Sequence, residues 1–137
     1  MKKIVRLLSI MAVIVVGCTA CGQNVTKNTA DDSGKVKVMT SFYTMYDFAQ
    51  KIGGEKVEIT NMVPSGTEPH DWEPSAIDIR NMEDADVFIY NGAGMEHWAE
   101  DILKSLDNSE LITVEASEGV ELIREGKEND PHVWLDP

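Results

Sequence analysis

From Lys35 onward the chain alternates between two hydrophobic periods, and this alternation restricts its fold more than any other feature. Lys35 to Thr40 (Lys-Val-Lys-Val-Met-Thr) repeats every second residue and predicts a strand. Phe42 to Ile52 follows, with Met45, Phe48, Ala49 and Ile52 at helical spacing, and Gly53-Gly54 stops it. Lys56 to Val63 returns to alternation through Val57 and Ile59. Pro74 to Met82 predicts a second helix with Pro74 in its first turn. Asp86 to Tyr90 is a short run rich in strand formers. Met95 to Leu106 predicts a third helix, with Trp98, Ile102 and Leu106 on one stripe, and Leu111 to Val114 a fourth strand. Residues 115–130 are acidic, with a short apolar piece at Val120, Leu122 and Ile123. Strands and helices taken in turn describe βαβ crossovers. The expected fold class is α/β, an open, mainly parallel four-stranded sheet with helices on both faces. Ligands of such sheets sit outside the carboxyl ends of the strands, so the loops leaving those ends are where chemistry is sought.

Two of those loops resemble each other. Pro64 to Pro74 reads Pro-Ser-Gly-Thr-Glu-Pro-His-Asp-Trp-Glu-Pro, and Asp130 to Pro137 reads Asp-Pro-His-Val-Trp-Leu-Asp-Pro. Each has Pro-His, a Trp two residues after the His, then an acid followed by Pro. His70 and His132 are therefore the candidate metal ligands. Neutral imidazole suits zinc, which usually takes four ligands. The two histidines stand too far apart in the chain for a local clip, so the fold must assemble the site. The preceding Pro holds its own φ near about −65° and drives the residue before it extended, which limits the entropy lost on ordering the ligand. Glu68, Asp71, Glu73, Asp130 and Asp136 are the candidate acceptors for the second imidazole N–H. His97, beside Glu96 and Trp98 on an acidic helix, is expected at the surface. The tryptophans are expected to pack beneath the loops. No nucleophilic Ser or Cys arrangement stands out, and no catalytic residue is assigned.

The rest of the composition sets limits. The chain has 137 residues, 42% of them hydrophobic, enough for one domain with a core. Its formal net charge is −12, although Lys2, Lys3 and Arg6 stand in an N-terminal stretch without acids. An acidic body argues against nucleic acid, whose phosphates demand a basic face, and is compatible with a cationic partner. Neither GxGxxG nor GxxxxGK[ST] occurs, so no nucleotide site is expected. Lys2, Lys3 and Arg6 precede an apolar run, Leu7 to Val16, which is short of the roughly 20 residues needed to span a bilayer. This is the layout of a secretory signal. Val15-Val16-Gly17-Cys18 has the pattern of a bacterial lipoprotein signal, with Cys18 the lipid-bearing residue and Cys21 the alternative. Gly22 to Gly34 is small and polar and reads as a tether. No other cysteine exists, so the folded part has no disulfide and no thiolate site.

Three segments together resemble one family. Pro64 to Ser75, Tyr90 to Trp98 (Tyr-Asn-Gly-Ala-Gly-Met-Glu-His-Trp) and Asp130 to Pro137, in that order, are similar to the cluster A-I solute-binding lipoproteins of bacterial zinc and manganese ABC importers. The wording is closer to the zinc branch, although residues 115–130 lack the histidines that many zinc members carry before the second ligand. The resemblance implies two α/β lobes joined by a rigid helix, with the metal held between them. His70 and His132 match the first two ligands, both from the N-terminal lobe, and the remaining ligands are expected beyond Pro137. Asp136-Pro137 reads as an N-cap and first-turn Pro, consistent with a chain truncated where the inter-lobe helix begins. The expected organisation is a signal peptide over 1–17, a lipidated N-terminus and tether over 18–34, and an N-terminal metal-binding lobe over 35–137. The implied function is capture of Zn2+ and its delivery to an ABC permease, by a protein lipid-anchored at the extracytoplasmic face of the cell membrane. Mn2+ or iron is the alternative cargo, and a surface adhesin the alternative role. A zinc hydrolase using Glu68 or Glu73 as base is the distant enzymatic reading.

Overall fold

The computed structural model describes residues 34–126 and 128–135. The signal-peptide, lipidation and tether readings on residues 1–33, including Cys18 and Cys21, lie outside the described residues, as do Asp136 and Pro137. The described elements are β1 (Val36–Thr40), α1 (Tyr43–Gly53), β2 (Val57–Asn61), α2 (Ala76–Glu83), β3 (Val87–Tyr90), α3 (Ala99–Ser105), β4 (Ile112–Glu115), β5 (Arg124–Glu125) and β6 (Glu128–Asn129). Single 3₁₀ turns lie at Gly54–Lys56, Pro69–Asp71 and Val133–Leu135. β1 to β4 form one all-parallel sheet in the order β2-β1-β3-β4. Val38 pairs with Ile59 on one side and Val87 on the other, and Val87 with Ile112.

β1 is central, and its Val38, Met39 and Thr40 are all buried, as expected of a parallel strand covered on both faces. Met39 and Phe88 are neighbours on one face, where they pack with Met82 of α2, Ala85, Trp98 and Ala99 of α3. Ile89 points to the other face and meets the cluster of Phe42, Met45 of α1, Val63 and Met95. Helices therefore cover both faces, as the alternation of periods predicts. β2 and β4 are the edge strands, and Ile112 and Val114 of β4 remain exposed.

The local departures have identifiable causes. α2 begins at Ala76 rather than at Pro74. Ser75 caps it by accepting the Asp78 amide, while the Asp78 carboxylate accepts the Ser75 N–H at 2.8 Å. This reciprocal capping box leaves Pro74 just outside the helix. In α1, Met45 and Ala49 are buried, but Phe48 is 43% and Ile52 88% exposed. The helical period identifies α1 without showing how much of its stripe reaches the sheet. The third helix is shorter than predicted, because tight turns take up Met95 to Trp98, with Met95 N–H donating to Gly92 O and Ala99 N–H to Glu96 O, both at 3.0 Å. Residues 115–130 hold a feature that no periodicity announces. β5 and β6 pair antiparallel around Gly126, at φ 68°.

Candidate metal centre

The strand order reverses between β1 and β3, and in doubly wound sheets the crevice outside their carboxyl ends is where ligands collect. Three segments meet there. The first leaves β2. Its pairing with β1 continues past the strand through Met62 N–H to Thr40 O (2.9 Å) and Val63 N–H to Ser41 O (2.8 Å). Pro64 then opens a turn closed by the Thr67 N–H (3.1 Å), and Pro69 starts the short turn that contains His70. Trp72 anchors this loop by packing edge-on to Trp98, with ring centres 5.6 Å apart.

The second segment is the return from the hairpin. Asp130 N–H donates to Ile123 O at 2.8 Å, and Asn91 Nδ2 holds the Pro131 carbonyl at 2.8 Å. Trp134 packs on Phe42 at 5.2 Å and equally close to the His132 ring. Trp72, Trp98 and Trp134 thus act as packing residues under the loops, as predicted. The fold brings the two candidate ligands together. The rings of His70 and His132 have centres 5.9 Å apart and planes inclined at 64°. Two imidazoles sharing one tetrahedral zinc, each bonded at about 2.0–2.1 Å, place their ring centres about 5–6 Å apart.

The electrostatics are asymmetric. Asp130 Oδ1 lies 2.7 Å from His132 Nδ1 and 3.0 Å from the His132 amide nitrogen. A carboxylate there makes Nδ1 the protonated nitrogen and leaves the Nε2 lone pair for a metal. The His132 amide, then its ring, hold the Asp130 carboxyl below the usual carboxylate range. Of the other candidate acceptors, Glu73 faces His97 across 3.6 Å, with both side chains well exposed. His97 is therefore a surface residue, as expected. No hydrogen bond or ion pair among the described residues joins Glu68 or Asp71 to either imidazole. His70 lines an open cleft with Ala93, Gly94, Asn129 and Pro131. Among the described residues no group of three or more His, Cys, Asp or Glu side chains is arranged to hold a metal.

The third segment, residues 91–98, supplies two polar residues that sequence reasoning passes over as turn and helix. Asn91 is fully buried and Glu96 nearly so. The Glu96 carboxylate accepts the N–H groups of Asn91 and Gly92, each at 3.0 Å. The sequence signal is weak: an Asn directly after an apolar strand, and a Glu five residues on in an otherwise small and apolar run.

The open parallel α/β sheet thus carries both candidate histidines on loops at its carboxyl edge, where ligands of such sheets sit. The family described as zinc-uptake complex component A, periplasmic (ZnuA), matches residues 38–137. Over 146 residues the chain is 38% identical to the high-affinity zinc uptake system protein ZnuA of Bacillus subtilis (strain 168), an alignment covering 95% of this chain and 46% of that protein. It is also 34% identical over 136 residues to the manganese-binding lipoprotein MntA of Halalkalibacterium halodurans, covering 99% of this chain and 45% of that one. Among solved structures, Zn(II)-bound AdcA from Streptococcus pneumoniae superimposes with a TM-score of 0.68 at 38% identity, over 74% of this chain and 22% of that chain. The chain belongs to the ZnuA family of metal-binding solute-binding proteins. It spans less than half the length of these relatives. The family is one of binding proteins rather than enzymes, which removes the hydrolase reading.

Proposed function

We propose that this chain captures zinc as cargo through His70 and His132 and passes it to an ABC permease. The observation that carries the reading is the meeting of two imidazoles from distant loops at 5.9 Å. They supply two of the four positions that zinc usually fills, and we assign the others to water or to groups outside residues 34–135. Nitrogen donors also favour zinc over manganese, whose sites are richer in carboxylate, carbonyl and water oxygen. No base and no open catalytic position are needed, because no bond is broken. The acidic body attracts a cation to the cleft over longer range.

Residues 1–17 act in this reading as a signal peptide, 18–34 as a lipidated tether joined at Cys18 (Cys21 as the alternative), and 35–137 as the metal-binding lobe at the extracytoplasmic face. Among the described residues no helix is long and apolar enough to cross a membrane. The test is a calorimetric zinc titration of the chain as a bacterial host processes it, beside His70→Ala and His132→Ala. Each substitution is expected to weaken binding while the circular dichroism spectrum stays that of the folded lobe. Wild-type affinity in either variant refutes the ligand assignment, and tighter binding of manganese than zinc refutes the cargo.

A further inference from the structure

We infer that Asn91 and Glu96 are positioning residues for this metal pair, because the turn they lock sets the spacing between His70 and His132. The inference rests on the zinc-binding reading and adds residues that do not touch the metal.

The argument begins at the carboxyl end of β3. Asn91 is 0% exposed there. Its Nδ2 donates to Gly92 O at 3.0 Å and to Pro131 O at 2.8 Å. The second bond reaches across 40 residues and ends on the carbonyl of the peptide that enters His132. Glu96 turns back over the same turn and grips the Asn91 and Gly92 amides, one with each carboxylate oxygen. Hydrogen bonds to an ionised acceptor are stronger than neutral ones, and burial strengthens them further. Between Asn91 and Glu96 the backbone passes through Gly92 (φ 78°), Ala93 (φ 53°) and Gly94 (φ 90°). Ala93 is the one non-glycine residue at positive φ among the described residues. A residue with a Cβ holds that conformation when its surroundings impose it.

Both ligand loops lean on this turn. Pro131 hangs from Asn91. Ala93 and Gly94 face the cleft that His70 lines, and Trp98 carries Trp72, two residues beyond His70. Closing the β3–α3 connection would need Glu96 alone. Asn91 does something else, since its longer bond leaves the turn altogether. Its Oδ1 finds no partner among the described residues, a penalty that an apolar residue at this buried position would not incur.

The experiment compares the processed chain with Asn91→Ala, first without metal. The readout is the nuclear Overhauser contact between the two imidazoles, whose ring centres lie 5.9 Å apart in the native fold. In Asn91→Ala that contact is expected to disappear and zinc affinity to fall about tenfold or more, the range for outer partners of ligands. Amide dispersion of α1 and β2 is expected to remain native. An unchanged imidazole contact with unchanged affinity overturns the inference. If Asn91→Ala does not fold, Glu96→Gln, which leaves one amide acceptor in place of two, is read in the same way. A third measurement needs no variant: the Asn91 side-chain NH2 signals of the wild type are expected to shift on adding zinc, and unmoved signals overturn the inference. Absence of zinc binding by the wild type would refute the proposed function instead, and the metal-free imidazole contact would still decide the positioning role.

Discussion

Replacing Asp130 with Ala removes the acceptor of two hydrogen bonds, one 3.0 Å from the His132 amide nitrogen and one 2.7 Å from Nδ1. The first holds the backbone at His132, the proposed ligand. The second selects the tautomer that presents Nε2 and restrains rotation of the ring. Without it the imidazole divides its time between tautomers and rotamers, and a metal must select one of them. Loss of such an outer partner costs about 10–100-fold in metal affinity. The lower end applies here. His132 is 43% and Asp130 37% exposed in their side chains, so water competes for the bond, and one of the two imidazoles is affected. We therefore expect zinc affinity to fall about tenfold in Asp130→Ala. Asp130→Asn, which keeps an oxygen acceptor, should lie between it and the wild type. The assay is competition calorimetry near neutral pH with a chelator of known zinc affinity, accompanied by a thermal melt that should not move. Because its partners hold the Asp130 carboxyl below the usual range, the difference between wild type and variant should persist on the acid side of neutrality for as long as zinc binds. An Asp130→Ala affinity within about twofold of wild type refutes the orienting role. A loss greater than that of His132→Ala would make Asp130 a ligand.

Gly92→Ala places a Cβ against the Glu115 carboxylate at φ 78°. The left-handed conformation costs about 1–2 kcal/mol, and displacing Glu115 breaks its bonds to Tyr90 (3.2 Å) and Ser117 (3.1 Å), about 0.5–1.5 kcal/mol each. Chemical denaturation should show a loss of about 2–5 kcal/mol, and a loss below about 1 kcal/mol would contradict the close approach. The Tyr90 phenol is pushed up to about 12, first by burial and then by the Glu115 carboxylate. Its contribution to stability is complete below its unfolded value of about 10 and is lost as pH rises through the folded one. Wild type should lose stability over that window more steeply than Tyr90→Phe, and equal slopes would refute the assignment. In a bacterial host, Cys18→Ala should abolish metabolic lipid labelling, and retained label would move the anchor to Cys21.

The four strands and three helices were legible in the sequence because period is a local property. Alternation in residues 35–40 and helical spacing in 42–52 are written in neighbouring residues, and each element formed close to where its period lies. The two histidine loops were legible for a similar reason: Pro-His-x-Trp repeats in the chain whether or not its copies ever meet. What remained hidden depends on distances between segments remote in sequence. The burial of Met45 and Ala49 against the exposure of Ile52 depends on where α1 lies over the sheet. The β5–β6 hairpin has strands too short to show a period. Asn91 and Glu96 look like a turn residue and a helical acid until the tertiary structure buries them and gives them partners. The sequence alone therefore determined which elements form, and that two similar histidine loops exist. The tertiary structure alone decided that His70 and His132 face each other at 5.9 Å. That separation is the cumulative result of strand register, helix packing and one side-chain bond to Pro131, none of which is a property of the residues on either side of a histidine.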